Sequence, residues 1–293
     1  MNASASISKL ATTIAQIRAE TIAARRAGVK IGLVPTMGAL HEGHLSLVRA
    51  SKAECGLTVV SIFVNPTQFG PNEDFSKYPR TLDNDLKLLA ACGAEVAFAP
   101  EASEMYRSDR STTVDVGEVA EPLEGEFRPG HFRGVATVVL KLFNIVQPDV
   151  AFFGQKDFQQ VQVVRRMVAD LNVSVDVRAC PIVREPDGLA MSSRNRYLSP
   201  AARRRALVLS RSLKRADELV RQGQCDAAVI LAEMRAVIET AEDARIDYIA
   251  LVDPETFRPA ETIAGPTLAA LAVKIENTRL IDNCLLSPRA PIL

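Results

Sequence analysis

Histidine is scarce in this 293-residue chain, yet two of its three histidines, His41 and His44, sit three positions apart in "VPTMGALHEGHLSL". Three chemistries fit such a pair. The imidazoles could pack against or cap a helix, ligate a metal, or hydrogen-bond an anion. The metal reading is the weakest, because a zincin needs HExxH with histidines four apart on one helical face, and here Glu42 lies inside a shorter spacing. A third ligand would have to be His131 or a distant carboxylate. The anion reading has more support. Gly38 and Gly43 let backbone approach a ligand closely, and a helix starting after Gly43 offers N–H groups to a phosphate. Imidazoles beside those groups could stabilise charge that develops on it.

A phosphate site gains weight from a second element downstream. "MSSRN", Met191 to Asn195, holds two hydroxyls and a guanidinium that suit a polyphosphate; the alternative is a polar linker that caps nothing. "FGQKDFQQ", Phe153 to Gln160, adds Lys156 as a phosphate donor and Asp157 as an acceptor for ribose hydroxyls. Its alternative is a solvated helix start with Asp157 near the positive end of the helix. Gln68 in "FVNPTQFGP" and Gln160 are neutral amides suited to hydroxyls and carboxylates, though a glutamine taken alone is more often a surface residue.

These residues need a scaffold that presents them at strand ends. "VKIGLV", "LTVVSIFV", "AEVAFAP", "DVAFFG" and "VSVDVRACPIV" read as buried strands rich in β-branched residues. Helical patterns lie between them: Ile7 to Ala27, with apolar residues at Ile7, Leu10, Ile14 and Ile17 and a stop at Gly28; Gly43 to Cys55; a Thr81-capped run to Cys92; Gly134 to Gln147; and Asp157 to Leu171. The alternation predicts an α/β fold, a Rossmann-like parallel sheet with helices on both faces. Such sheets bind ligands at the carboxyl ends of their strands, where "PTMGALHEGH" and "GQKD" fall.

After "VREPDGLAMSSRNRYLSP" the texture changes. Pro200 opens a basic helix to about Arg221, a second helix covers Cys225 to Thr240, and "RIDYIALVD" and "LAALAVKIENTRLID" read as strands. The expected division is a Rossmann-like domain over residues 1–184 and a smaller α+β domain over residues 185–293 that closes over the site.

Composition narrows the classes further. A formal net charge of zero gives no global attraction to nucleic acid or to an anionic membrane. The five cysteines, Cys55, Cys92, Cys180, Cys225 and Cys284, form no CxxC pair and read as reduced thiols of a cytosolic protein. The start lacks a signal-peptide pattern, and no uncharged apolar run reaches the roughly 18 residues of a membrane span, so a cytoplasmic location is expected.

Four stretches, "LVPTMGALHEGHLSLV", "SIFVNPTQFGPNEDFSKYPRTLDNDL", "RPGHFRGVATVVLKLFNIVQPDVAFFGQKDFQQ" and "DGLAMSSRNRYLS", together resemble the pantothenate synthetase (pantoate–β-alanine ligase) family of the HxGH nucleotidyltransferase superfamily. They run in family order over most of residues 31–199. The resemblance implies a ligase that condenses pantoate with β-alanine through a pantoyl-adenylate intermediate, releasing AMP and pyrophosphate. ATP would be a co-substrate accompanied by Mg²⁺, with no tightly bound organic cofactor.

The resemblance also implies roles residue by residue. His41 and His44 face the phosphates, His44 as proton donor, and Lys156 binds phosphate as a third catalytic group. ATP is lined by Pro35, Thr36, Met37, Gly38, Ala39, Leu40, Glu42, Gly43 and Gln155, and Gly154 and Asp157 bind its ribose. Val183 meets adenine through its backbone, and Met191, Ser192, Ser193 and Arg194 close on the triphosphate. Met37, Gln68 and Gln160 hold pantoate, with Gln68 also near β-alanine. In the acidic cluster after "YPRT", which reads Asp83, Asn84, Asp85, Asp85 is the expected Mg²⁺ contact. A flexible lid corresponds to Glu124–Gly134; it includes His131, which otherwise reads as a solvent-exposed loop residue. A homodimer is implied, with no nucleic-acid or membrane partner.

Two other readings stay open at this point. Another HxGH nucleotidyltransferase, joining NMP to a phosphorylated acceptor, would want a basic acceptor pocket, whereas Gln68 and Gln160 are neutral. A nucleotide-binding regulator without chemistry would not need both histidines, Lys156 and the serine pair.

Overall fold

The computed structural model describes residues 9–71 and 73–288. Along the chain the elements are β1 (Lys9–Ala11), α1 (Ile14–Arg26), β2 (Ile31–Thr36), α2 (Glu42–Glu54), β3 (Leu57–Ile62), α3 (Leu82–Ala91), β4 (Val96–Phe98), α4 (Ala102–Met105), α5 (Glu124–Phe127), α6 (His131–Val146), β5 (Val150–Gly154), α7 (Phe158–Asp170) and β6 (Asp176–Cys180). They continue with α8 (Pro200–Ala206), α9 (Val208–Arg221), α10 (Ala227–Glu239), β7 (Arg245–Val252), β8 (Thr267–Ile275) and β9 (Thr278–Leu286).

The first six strands form one parallel sheet in the order β1-β4-β3-β2-β5-β6. From β2 the chain builds outward to β3 and β4, then returns to place β5 on the other side of β2. The carboxyl ends of β2 and β5 are therefore neighbours at the point where the strand order reverses, the crevice in which such sheets bind ligands. The apolar runs are continuous because both faces are covered. On one face Val34, Val60, Ala97 and Phe152 pack with Leu45 and Val48 of α2 and Leu89 of α3.

The chain divides into two compact units. The first runs to Gln155 and resumes over Gln159–Ile182; the second takes Lys156–Phe158 and all from Val183 onward. An uninterrupted boundary at residue 184 did not anticipate that Lys156–Phe158 would group with the second unit. In that unit β7, β8 and β9 form an antiparallel sheet, and Leu271 and Val273 of β8 share a core with Leu209 and Leu213 of α9 and Ile230 and Met234 of α10.

Four expected elements are corrected. Lys9–Ala11 is a strand paired with β4 rather than the first turn of a helix, and Ile7 lies outside the described residues. The reason is legible afterwards: Thr13 accepts from the Gln16 amide at 3.2 Å while the Gln16 side chain accepts from the Thr13 amide at 3.1 Å. That capping box starts α1 at Ile14 and overrides the apolar period. The basic helix expected from Pro200 to about Arg221 is two helices, interrupted at Leu207, where ψ relaxes to −14°. No glycine or proline marks that break.

Thr81 stands at the N-cap of α3, but its hydroxyl turns to the Asp85 carboxylate instead of capping the helix. Finally, the segment of the expected lid contains α5 and the first turn of α6, and His131 within it is buried rather than exposed. Among the described residues no helix is long and apolar enough to cross a membrane.

Candidate active site

The loop from β2 to α2 begins in a buried strand and ends in a helix start, and its backbone is held by side chains. Thr36 Oγ1 donates to the Ser61 carbonyl at 2.7 Å and accepts from the Gly38 amide at 3.2 Å. Ala39 N and Leu40 N donate to Oδ2 and Oδ1 of Asp85 at 3.0 and 2.8 Å. His41 occupies the N-cap of α2 in an extended conformation, and its amide donates to His44 Nδ1 at 3.4 Å. The two imidazoles lie 4.1 Å apart, centroid to centroid, tilted by 40°. With Nδ1 of His44 as acceptor, its neutral ring carries the proton on Nε2.

The pair thus stands half-buried at the amino end of a helix whose first amides lack intrahelical partners, a setting that favours an anion. Glu42 is exposed and forms an ion pair with Arg49. Among the described residues no group of three or more His, Cys, Asp or Glu is placed to hold a metal ion.

Gln68 closes a 3-10 turn, Pro66–Gln68, and is 8% exposed. Its amide is oriented by Asn65, which the sequence reading overlooked. Asn65 Oδ1 accepts from the Thr67 hydroxyl and the Tyr106 hydroxyl, each at 2.9 Å, so its Nδ2 must be the donor to Gln68 Oε1 at 3.0 Å. The NH₂ of Gln68 is left to face Met37, 3.3 Å from the sulfur. Two residues expected to share a ligand are therefore in contact. The Asn-Pro dipeptide was the available signal for this turn.

Gly134 lets α6 press against the same turn, for a Cβ there would lie 2.3 Å from the Thr67 carbonyl oxygen. His131, one helical turn earlier, completes the support. Its Nδ1 is 2.9 Å from the Gln68 carbonyl and must donate to it; its Nε2 faces Arg128 Nη1 at 3.1 Å and must accept. Burial, then the charge of Arg128, pushes the imidazole pKa down to about 4. Arg128 also binds both oxygens of Glu73 at 2.7 Å. Burial opposes ionisation of Glu73, but that arginine outweighs it and holds the carboxyl below its ordinary range.

Gln160 sits in the first turn of α7, half-buried, whereas its neighbour Gln159 is buried and spans the Glu124 amide and the Val119 and Pro122 carbonyls. Gly154 ends β5, and a Cβ added to it would meet nothing within 4 Å among the described residues, so protein packing does not demand a glycine there. Asp85 does not fit the magnesium role expected of it. It is 0% exposed, and both oxygens are engaged by Ala39, Leu40 and the Thr81 hydroxyl.

In the second unit, Lys156 lies in the 3-10 turn Gln155–Asp157, half-buried, and its carbonyl accepts from Asn283 Nδ2 at 2.8 Å. Asp157 is exposed. The "MSSRN" segment is more built than a polar linker. Ser192 Oγ caps the turn Ser193–Tyr197 by accepting from Arg194 N at 3.2 Å, and Ser193 and Asn195 are buried. Asn195 donates to Glu185 Oε1 at 2.7 Å and to the Ala190 carbonyl at 3.0 Å. Val183 accepts from the Met191 amide at 3.0 Å, tying the expected adenine contact to the serine segment. Arg184 forms two bonds to the buried Asp282, at 2.7 and 3.1 Å.

A family model described as pantoate-beta-alanine ligase matches residues 9–285. Pantothenate synthetases of Moorella thermoacetica and Geobacter sulfurreducens are each 54% identical to the chain over 278 residues, spanning 95% of this chain and 98% of their own. The crystal structure of pantothenate synthetase from Thermus thermophilus superposes with a TM-score of 0.90 at 44% identity, covering 96% of this chain and 100% of that one. A Francisella tularensis pantoate-beta-alanine ligase, solved with beta-gamma ATP and beta-alanine, gives 0.79 at 34% identity over 94% and 97% of the two chains. On sequence and on fold alike, this chain belongs to the pantoate–β-alanine ligase family.

Proposed function

We propose that this chain condenses pantoate with β-alanine at the expense of ATP, through a pantoyl-adenylate intermediate. The observation that carries the reading is the His41–His44 pair at the carboxyl end of β2, beside the end of β5, where the sheet order reverses. In the first step a pantoate carboxylate oxygen bonds to the α-phosphorus, the bond to the bridging oxygen breaks, and pyrophosphate leaves. In the second, the β-alanine amine attacks the acyl carbon, a C–N bond forms, AMP departs and the amine loses a proton.

His41 and His44, with the N–H groups that open α2, stabilise charge on the phosphates as the leaving group forms. Lys156 contributes a further positive charge, and Ser192, Ser193 and Arg194 give hydrogen bonds to the triphosphate. Gln68, its NH₂ turned towards Met37 by Asn65, and Gln160 bind pantoate, with the Met37 backbone beside them. Holding the carboxylate in line with the α-phosphorus is itself worth several orders of magnitude in rate. Mg²⁺ is assigned to the phosphates of ATP and to water, with no protein carboxylate as direct ligand. A homodimer and a cytoplasmic location remain part of this proposal, the first open to light scattering and the second to fractionation.

The test is product formation. Pantoate labelled with ¹⁸O in its carboxylate, incubated with ATP and β-alanine, should yield pantothenate and AMP carrying one ¹⁸O. Unlabelled AMP would refute the adenylate route, and absence of pantothenate would refute the substrate assignment.

A further inference from the structure

We infer that Asp85 is a positioning residue for the loop that carries His41 and His44, its carboxylate holding backbone rather than a magnesium ion. The inference rests on the assignment of the histidines to the phosphates, and goes beyond it by naming what fixes them.

The loop has an unusual support. From Gly38 to His41, four consecutive amides donate to side chains: Gly38 to Thr36, Ala39 and Leu40 to Asp85, and His41 to His44. Two successive residues are left-handed, Gly38 at φ +79° and Ala39 at φ +50°. Alanine is disfavoured there and keeps that conformation only if something outside the loop enforces it. Asp85 is that agent. It lies in the first turn of α3, which packs with α2 in one core cluster, so the carboxylate reaches the loop from a rigid element.

The shape of the carboxylate matters as much as its charge. Each oxygen takes one amide, at 3.0 and 2.8 Å, and the Thr81 hydroxyl stands 3.2 Å from both. An asparagine at 85 would set an NH₂ against one of two N–H donors and break the match. The fit is close enough to constrain position 38, where a Cβ would come within 3.0 Å of Asp85 Oδ2 and of Ile62 Cγ2. A magnesium ion needs oxygens at about 2.0–2.1 Å in octahedral array and keeps several waters. A fully buried carboxylate that already receives two N–H groups and a hydroxyl presents it no open face.

The experiment compares wild type with Asp85→Asn, Thr81→Ala and Asp83→Asn, the last removing an exposed carboxylate from the same turn. Hydrogen exchange over residues 37–45 is read without substrates, so it does not depend on any activity. Asp85→Asn should speed exchange there roughly ten- to hundredfold, the consequence of one lost bond and one opposed donor. Thr81→Ala should speed it less, and Asp83→Asn should not. In steady state, kcat of Asp85→Asn should fall about 10- to 100-fold through misplacement of the histidines, with the half-saturating Mg²⁺ concentration unchanged.

A raised Mg²⁺ requirement, with activity rescued by excess Mg²⁺ and loop exchange unchanged, would overturn the inference and make Asp85 a metal contact. Should Asp85→Asn fail to fold, Thr81→Ala alone decides by the same two readings. An inactive wild type would instead refute the proposed function and leave the exchange result standing.

Discussion

Acid should loosen the turn that carries Gln68, and His131 sets where. In the folded chain its imidazole has a pKa of about 4 against an ordinary 6.5, because it is buried and lies beside Arg128. Between those values the unfolded chain binds a proton that the folded chain refuses, so stability falls as pH drops from 6.5 towards 4. At pH 5 the full unit and a half below the ordinary value applies, a loss of about 2 kcal/mol at roughly 1.4 kcal/mol per unit. Glu73 acts in the same direction, since its depressed carboxyl withdraws stability as pH falls through the acid range below 4.5. Measurements from pH 5 upward therefore keep that carboxylate out of the reading, and comparison with a His131 variant assigns the remainder.

The assay has two parts. NMR titration of the His131 ring should give an apparent pKa near 4, with the Nδ1–H tautomer throughout the neutral range. Urea unfolding of wild type and His131→Asn at pH 7 and pH 5 should then show the acid penalty in wild type only. Asparagine keeps a donor to the Gln68 carbonyl but has nothing to titrate. Pantoate KM should rise at pH 5 in wild type before ATP KM does. A ring that titrates near 6.5, or equal acid penalties in both proteins, would refute the reasoning.

Gly134→Ala should displace the Pro66–Gln68 turn, at about 1–3 kcal/mol of overpacking strain, and raise pantoate KM more than ATP KM; thermal unfolding and kinetics read both. His44→Ala and Lys156→Ala should each slow adenylate formation roughly 10²–10³-fold with far-UV circular dichroism unchanged, measured in single-turnover experiments. Gln160→Ala should weaken pantoate binding by roughly 1–3 kcal/mol in calorimetric titration while ATP affinity holds.

The sheet was legible because parallel strands buried on both faces are apolar throughout, as in "LTVVSIFV" and "DVAFFG". The strand at Lys9–Ala11 was not, for it buries only Ala11 and a helical period happened to run through it. The histidine pair announced itself by residue type and spacing. Its supports did not, because the partners of Ala39 and Leu40 lie 46 and 45 residues away in sequence, and His131 reaches Gln68 across 63. Nothing local predicts such pairings. Asp85 read as a ligand for a cation for the same reason: an aspartate in an acidic run looks like one, and only its burial shows the donors it already serves. Ser193 stands in a run of polar residues that also read as a linker, and the turn that buries it is tied down by Asn195 reaching Glu185.

Isotope exchange between pyrophosphate and ATP in the absence of β-alanine tests the central claim most directly. If the chain adenylates pantoate reversibly, labelled pyrophosphate enters ATP only when pantoate is present, and His44→Ala suppresses the exchange roughly 10²–10³-fold. Exchange that proceeds without pantoate, or that demands β-alanine, would contradict the account.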